Sequence, residues 1–313
     1  MRLVRMNGGL GNQLFQYIFT RYIEEKTGEE CIIDDTELFW FTEETRNNPA
    51  YNGYQIERIF DIKHKRLSNS FDKDVFDNLV KLSNSPLKDG EKKRGLVSVF
   101  NEYGTNLLTV QEGNVYPLEC EYPGMTITFP SNQYCENVID IRGNVYYYGY
   151  WINANWFASI ADIILNELKF PDIPDINNQM YMSIIKEANE HSVALHVRRG
   201  DFVTLGWALD NSVYKSMINQ IRHEISKPVF FVFSDDIEWV KSNMLELGLS
   251  NDDKIEYVEG NYRETSYIDM QLMKECRGMV FSSSSFSYLA SLLNTRKDKI
   301  VYQSTGRQIV YYN

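Results

Sequence analysis

From about residue 176 onward the chain alternates between apolar runs of strand length and segments with helical spacing. The strand-like runs are Val193 to Arg198, Val229 to Ser234, Ile255 to Glu259, Met279 to Ser282 and Lys299 to Gln303. Helical patterns cover about 176–190, 212–225, 237–247, 264–276 and 286–293. Parallel strands need a crossover, usually a helix, so this spacing predicts βαβ units and a parallel sheet. Val229-Phe230-Phe231-Val232-Phe233 is apolar at every position, as a strand covered on both faces requires.

The first half opens in a similar way. Residues 1–6 read as a strand, Asn7-Gly8-Gly9-Leu10-Gly11-Asn12-Gln13 as a glycine-rich turn, and about Gln13 to Lys26 as a helix. Leu14, Phe15, Ile18, Phe19, Tyr22 and Ile23 form its apolar face, and Gly28 supplies the stop. A second strand covers Cys31 to Asp35. Gly9 and Gly11 would let a ligand approach amides at a helix N-terminus; a plain tight turn is the alternative. The loop has neither the GxGxxG spacing nor the Lys-Ser/Thr of a Walker loop, which disfavours a dinucleotide oxidoreductase.

The stretch from about Trp40 to Asp140 mixes aromatics, turns and charge. Asp72-Lys73-Asp74 has metal-site spacing but sits in a polar helical segment, and Glu91-Lys92-Lys93-Arg94 reads as a solvated face or loop. Tyr146-Tyr147-Tyr148-Gly149-Tyr150-Trp151 is either strand packing or, at Tyr150 and Trp151, a surface for a sugar acceptor. A helix is expected from Trp156 to Leu168, then a proline-containing linker from Lys169 to Asp175. Two domains follow, 1–170 and 171–313.

With 313 residues, 43% of them hydrophobic, the chain can bury substantial cores. A net charge of −11 argues against nucleic-acid binding, yet a small basic cleft for an anionic ligand is compatible with it. No apolar run has the length of a signal peptide or a membrane span. The four cysteines, Cys31, Cys120, Cys135 and Cys276, lack CxxC spacing. A Cys120–Cys135 bridge is conceivable, but free thiols in a cytoplasmic protein are the expectation, with at most peripheral contact at the inner face of the plasma membrane.

Polar groups gather where apolar strands end. His196-Val197-Arg198-Arg199-Gly200-Asp201 closes one strand, Ser234-Asp235-Asp236 another, and Ser282-Ser283-Ser284-Ser285-Phe286-Ser287 leads a third into a helix. Ligands of open α/β sheets bind past the carboxyl ends of strands. Guanidinium groups suit phosphate oxygens, and serines at a helix start offer hydroxyls and amides together. Each motif alone has a plain reading as an ion pair or a helix cap. Together Arg198, Arg199, Ser234, Asp235, Asp269, Ser283, Ser284 and Ser285 describe a nucleoside diphosphate site.

Asn7 to Tyr17 together with His196 to Asp201 resembles the α-1,2-fucosyltransferases of glycosyltransferase family 11. Gly149-Tyr150-Trp151, Phe233 to Asp236 and the stretch from Asp269 through Cys276 to Ser287 support the likeness in order along the chain. The resemblance implies an α/β, GT-B-like fold, two Rossmann-like domains facing across a cleft. It implies GDP-β-L-fucose as donor, inverting transfer to the 2-hydroxyl of a terminal β-galactoside glycan, and no cofactor or metal. It assigns the β-phosphate to Arg198, donor contacts to His196, Asp235, Asp269, Ser284, Ser285 and Phe286, and the reacting centre to Asn12. The N-terminal domain would be the acceptor side. One departure is Tyr288-Leu289, where the family usually carries two tryptophans; it bears on acceptor preference or on packing beneath the site.

On this reading a single displacement builds negative charge on departing GDP, which preorganised donors must meet. Asp201 either takes the acceptor proton or fixes the turn. A transferase of other linkage or acceptor, or a non-catalytic nucleotide-sugar or glycan-binding module, is the alternative.

Overall fold

The computed structural model describes residues 1–39, 52–102, 107–113, 126–305 and 308–312. The chain divides into two compact units, Met1–Lys169 and Phe170–Asn313.

In the first unit five strands, β1 (Arg2–Arg5), β2 (Cys31–Asp34), β3 (Leu107–Gly113), β4 (Thr126–Pro130) and β5 (Asn144–Tyr148), lie in the order β2-β1-β5-β3-β4, every pairing parallel. The helix between β1 and β2 spans Leu10–Thr27 and so begins earlier than its apolar spacing predicts. Gly9 takes the cap position in extended conformation and accepts from the Gln13 amide at 3.0 Å, which draws Gly11 and Asn12 into the first turn. Gly28 ends the helix in the left-handed conformation, as expected. The helix anticipated from Trp156 is broken into Ala154–Ala158 and Ala161–Glu167, because Ile160 leaves helical dihedrals (φ −140°, ψ 31°) between them.

Asp72 caps the helix Lys73–Ser83, accepting from the Asp74 amide at 2.9 Å, so the Asp-x-Asp pair is a helix start. The basic run sits within the helix Asp89–Glu102. Cys31, Cys135 and Cys276 are free thiols, and Cys120 lies outside the described residues.

The second unit holds β6 (Ser192–Val197), β7 (Val229–Ser234), β8 (Lys254–Tyr257), β9 (Gly278–Phe281), β10 (Ile300–Thr305) and β11 (Gln308–Tyr312), in the order β11-β10-β9-β6-β7-β8. All pairings are parallel except the β10–β11 hairpin, an edge that the sequence pattern did not predict. Crossover helices cover Asn211–Glu224, Ile237–Asn243, Tyr267–Met273 and Ser285–Leu293. β6 is buried throughout, and Val193, Leu195, Phe230 and Val232 pack with Tyr214, Met217, Ile218 and Ile221 in the core.

Strand order decides where ligands fit. β6 pairs with β7 on one side and β9 on the other; the chain runs outward to β8 and then returns past β6. The segments leaving β6 and β9 therefore diverge, which opens a crevice at their carboxyl ends. The first unit repeats the arrangement, with β1 between β2 and β5. Among the described residues no helix is long and apolar enough to cross a membrane.

Candidate active site

β6 ends at Val197, so Arg198 is the first residue beyond the strand. Its guanidinium donates to Asp201 Oδ1 at 2.7 Å and pairs with Asp235 Oδ2 at 2.9 Å. The Gly200-Asp201 step, read from sequence as a turn, starts a short helix, Gly200–Thr204. Asp235 follows β7, and its other oxygen accepts from the Arg199 amide at 2.8 Å. Gly200 makes this possible, because a β-carbon there would collide with the Asp235 carboxylate. Arg198 and Asp235 keep about a quarter of their side-chain surface in solvent and Asp201 about half (27%, 26% and 51%). Ion pairs so exposed contribute only about 0–1 kcal/mol, so a bidentate diphosphate can compete for Arg198.

Arg199 does not share that site. Its guanidinium lies 3.4 Å above the Trp239 ring and donates to Asp236 at 3.3 Å, on the helix that follows β7. The Arg199 backbone amide is what joins the cluster. Ser234 is likewise committed to the sheet edge, donating to Val197 O at 2.7 Å and accepting from the Asp236 amide at 3.0 Å.

His196 reaches across the crevice. Its Nδ1 is 2.9 Å from the Ser287 hydroxyl on the helix after β9, and its ring is 6.0 Å from that of Phe286. Burial, then the Arg198 charge, pushes its pKa down to about 3, so the imidazole is neutral. The helix Ser285–Leu293 starts at Ser284, which is buried and makes no side-chain cap, while Ser283 is exposed. The start of this helix follows the carboxyl end of β9, the place where helix amides can meet an anion. Of the two residues that depart from the family pattern, Leu289 is fully buried and Tyr288 half-buried.

One hydroxyl here gave no sequence signal. Tyr214 belongs to an aliphatic helix stripe, yet it is buried beside the buried Ser282 that follows β9. The Tyr214 oxygen is near Ser282 and the Arg198 backbone, and burial pushes its pKa up to about 12.

Asp269 belongs to a different cluster. It accepts from Asn261 at 2.8 Å, and Asn261 and Asn178 exchange two amide hydrogen bonds of 2.8 Å. Burial pushes the Asp269 carboxyl up to about 7.

In the first unit Gly8 has φ +77°, and Asn12 fills the space where its side chain would lie. Two buried glutamines fix the loop. Gln13 donates to Gly8 O (2.9 Å) and Gly53 O (2.8 Å), and Gln16 donates to Asn7 Oδ1 (2.9 Å) and Gly149 O (3.0 Å). The loops after β1 and β5 are thereby joined at the crevice of that sheet. Glu112, on β3, accepts from the amides of Tyr150 (2.7 Å), Trp151 (2.8 Å) and Asn132 (3.1 Å). Tyr150 is half-buried. Trp151 is 1% exposed and stacks on Phe19 with centroids 4.1 Å apart, so it is a core ring and not the acceptor surface expected of it. Among the described residues no group of three His, Cys, Asp or Glu is placed to hold a metal ion.

Residues 131–307 match the model of glycosyl transferase family 11. The chain belongs to this family. Two Escherichia coli relatives extend the match beyond that segment. An alpha-1,2-colitosyltransferase is 26% identical over 93% of this chain and 87% of its own length. The O-antigen biosynthesis glycosyltransferase WbnK is 25% identical over 95% and 91%. Among solved structures, fucosyltransferase NodZ from Bradyrhizobium superposes with a TM-score of 0.50, covering 100% of this chain and 98% of that one at 13% identity. NodZ alpha-1,6-fucosyltransferase co-crystallised with GDP gives the same score, identity and coverage. At that identity the likeness is one of fold, the two-sheet α/β architecture of GT-B transferases. This family 11 glycosyltransferase thus carries a basic residue and a serine-rich helix start on either side of its second crevice.

Proposed function

We propose that the chain transfers L-fucose from GDP-β-L-fucose, with inversion, to the 2-hydroxyl of a terminal β-galactoside. The observation that supports this best is the pairing across the second sheet's crevice: Arg198 beyond β6, the serine-rich helix start beyond β9, and His196 bonded to Ser287 between them. In the transfer the acceptor oxygen forms a bond to the anomeric carbon while the bond to the β-phosphate oxygen breaks. GDP leaves with the bonding pair, and its charge is met by Arg198, Ser283, Ser284 and Ser285 hydroxyls and the helix amides. Neutral His196 with Phe286 would hold the donor rather than move protons, and Asp235 would hold Arg198. Asp269 would accept from the nucleoside, and Gly9, Gly11, Asn12 and Tyr150 would take part in the transfer. In this mechanism no metal takes part.

When the diphosphate takes Arg198, Asp201 loses its partner and becomes free to accept the acceptor proton. A β-galactoside-terminated surface polysaccharide, assembled in the cytoplasm, would be the acceptor, in keeping with a relative named for O-antigen biosynthesis. A second reading follows from the relative named a colitosyltransferase: colitose lacks the 3-hydroxyl of fucose, and the donor would be GDP-colitose. Incubation with each donor and a β-galactoside, followed by measurement of GDP and the product linkage, separates them. Release of GDP from neither donor, or a product linked elsewhere than the 2-hydroxyl, overturns the proposal.

A further inference from the structure

Just beyond Arg198 lies an apolar cluster that the ion pairs and the core leave unused. Val203, Leu205 and Trp207 are 48%, 50% and 51% exposed. Single exposed apolar side chains are ordinary, but three within five residues beside a charged site are not. Their turn is firmly built. The amides of Trp207 and Ala208 both donate to Phe202 O, at 2.7 and 3.0 Å, and Leu205 N donates to Asp201 O at 3.0 Å. Gly206 supplies the left-handed φ of 70° that the bend requires. The indole stands edge-on to Phe202, centroids 5.7 Å apart, and the Arg198 guanidinium is 5.6 Å from that same phenyl ring. One aromatic ring therefore separates Trp207 from the charge assigned to the diphosphate.

We propose that Trp207 is the stacking floor for the acceptor sugar, a pyranose of the galactose type, with Asp201 at its rim. This rests on reading Arg198 as the diphosphate clamp. The axial 4-hydroxyl of galactose leaves the hydrogens on C3, C4 and C5 together on one face, an apolar patch that an exposed indole can cover. The hydroxyl edge of the sugar needs acceptors, and the half-exposed Asp201 carboxylate supplies one. A bilayer surface would also take exposed apolar side chains. However, Asp201 and the exposed Asp210 flank the cluster and the chain carries −11, charges that oppose anionic headgroups and suit a sugar.

The test compares Trp207→Ala and Trp207→Phe in the full chain, using the best acceptor from a panel of β-galactoside-terminated oligosaccharides and the matching β-glucosides. In the alanine variant acceptor KM should rise about tenfold, with partial recovery in the phenylalanine variant, the scale of one aromatic contact. The preference for galactosides should narrow, while Kd for GDP by calorimetry stays unchanged. An unaltered acceptor KM overturns the proposal. So does an equal loss of GDP affinity, or loss of binding to phosphatidylglycerol vesicles with acceptor KM intact. Saturation-transfer NMR of β-galactoside binding needs no turnover and keeps the two readings apart. Galactoside bound through Trp207 without GDP release would refute the donor assignment alone, and turnover unaffected in both variants would refute the stacking floor alone.

Discussion

The carboxylate of Asp235 stands where a β-carbon on residue 200 would go, so any side chain at 200 must displace it. That carboxylate also holds the Arg198 guanidinium and the Arg199 amide. Gly200→Ala should push Asp235 aside and release Arg198 from its place at the crevice. We expect kcat/KM to fall about a hundredfold, comparable to losing one preorganised donor, while the fold survives. Steady-state kinetics beside a thermal melt checks this; unaltered kinetics would refute the pairing.

Arg198 itself should not be replaceable by another cation. Arg198→Ala should lose about a hundredfold or more in kcat. Arg198→Lys should recover little, because an ammonium cannot make the two parallel hydrogen bonds of a guanidinium. A lysine variant with near-normal kcat would remove Arg198 from the role of clamp.

For Asp201 the informative measurement is the pH–rate profile. If this carboxylate takes the acceptor proton, the wild-type rate falls on the acid side as the base becomes protonated. Asp201→Asn should be slow and should lack that acid limb. A variant that keeps both rate and limb excludes Asp201 as the base.

Asp269 gives a prediction on stability. Its folded pKa, about 7, lies above the ordinary aspartate value because of burial. The folded state therefore holds a proton that the unfolded chain has released between about pH 4 and 7. Stability from this group is complete below that window and declines as pH rises through it. Asp269→Asn, which can still accept from Asn261, should melt higher than wild type above pH 7 and show a flatter dependence from pH 4 to 7. Thermal melts across that range measure it; parallel curves for the two proteins would contradict the assignment.

The sequence made the second sheet readable because its central parallel strands are apolar, as Phe230 and Phe231 illustrate, and helical stripes separate one strand from the next. It also placed Arg198 and the serines at strand ends. It did not show which side chains meet there. Arg198 and Arg199 are neighbours in the chain, yet successive side chains leave a strand end on opposite faces, and only the fold sends Arg199 to Trp239. Trp151 reads like a sugar platform until Phe19, 132 positions earlier, is seen stacked on it. Glu112 and Tyr214 were illegible for the same reason: their importance lies in partners distant in sequence. β11 had no helix before it to mark its start.

Gln13 and Gln16 are three positions apart on one helix, and each ties a different loop of the first crevice. Inserting a single residue between them would turn one amide by about 100° away from the other, leaving both side chains present but unable to act together. Among descendants of this chain, the interval between the two glutamines should therefore resist insertion and deletion as firmly as the amides themselves resist replacement.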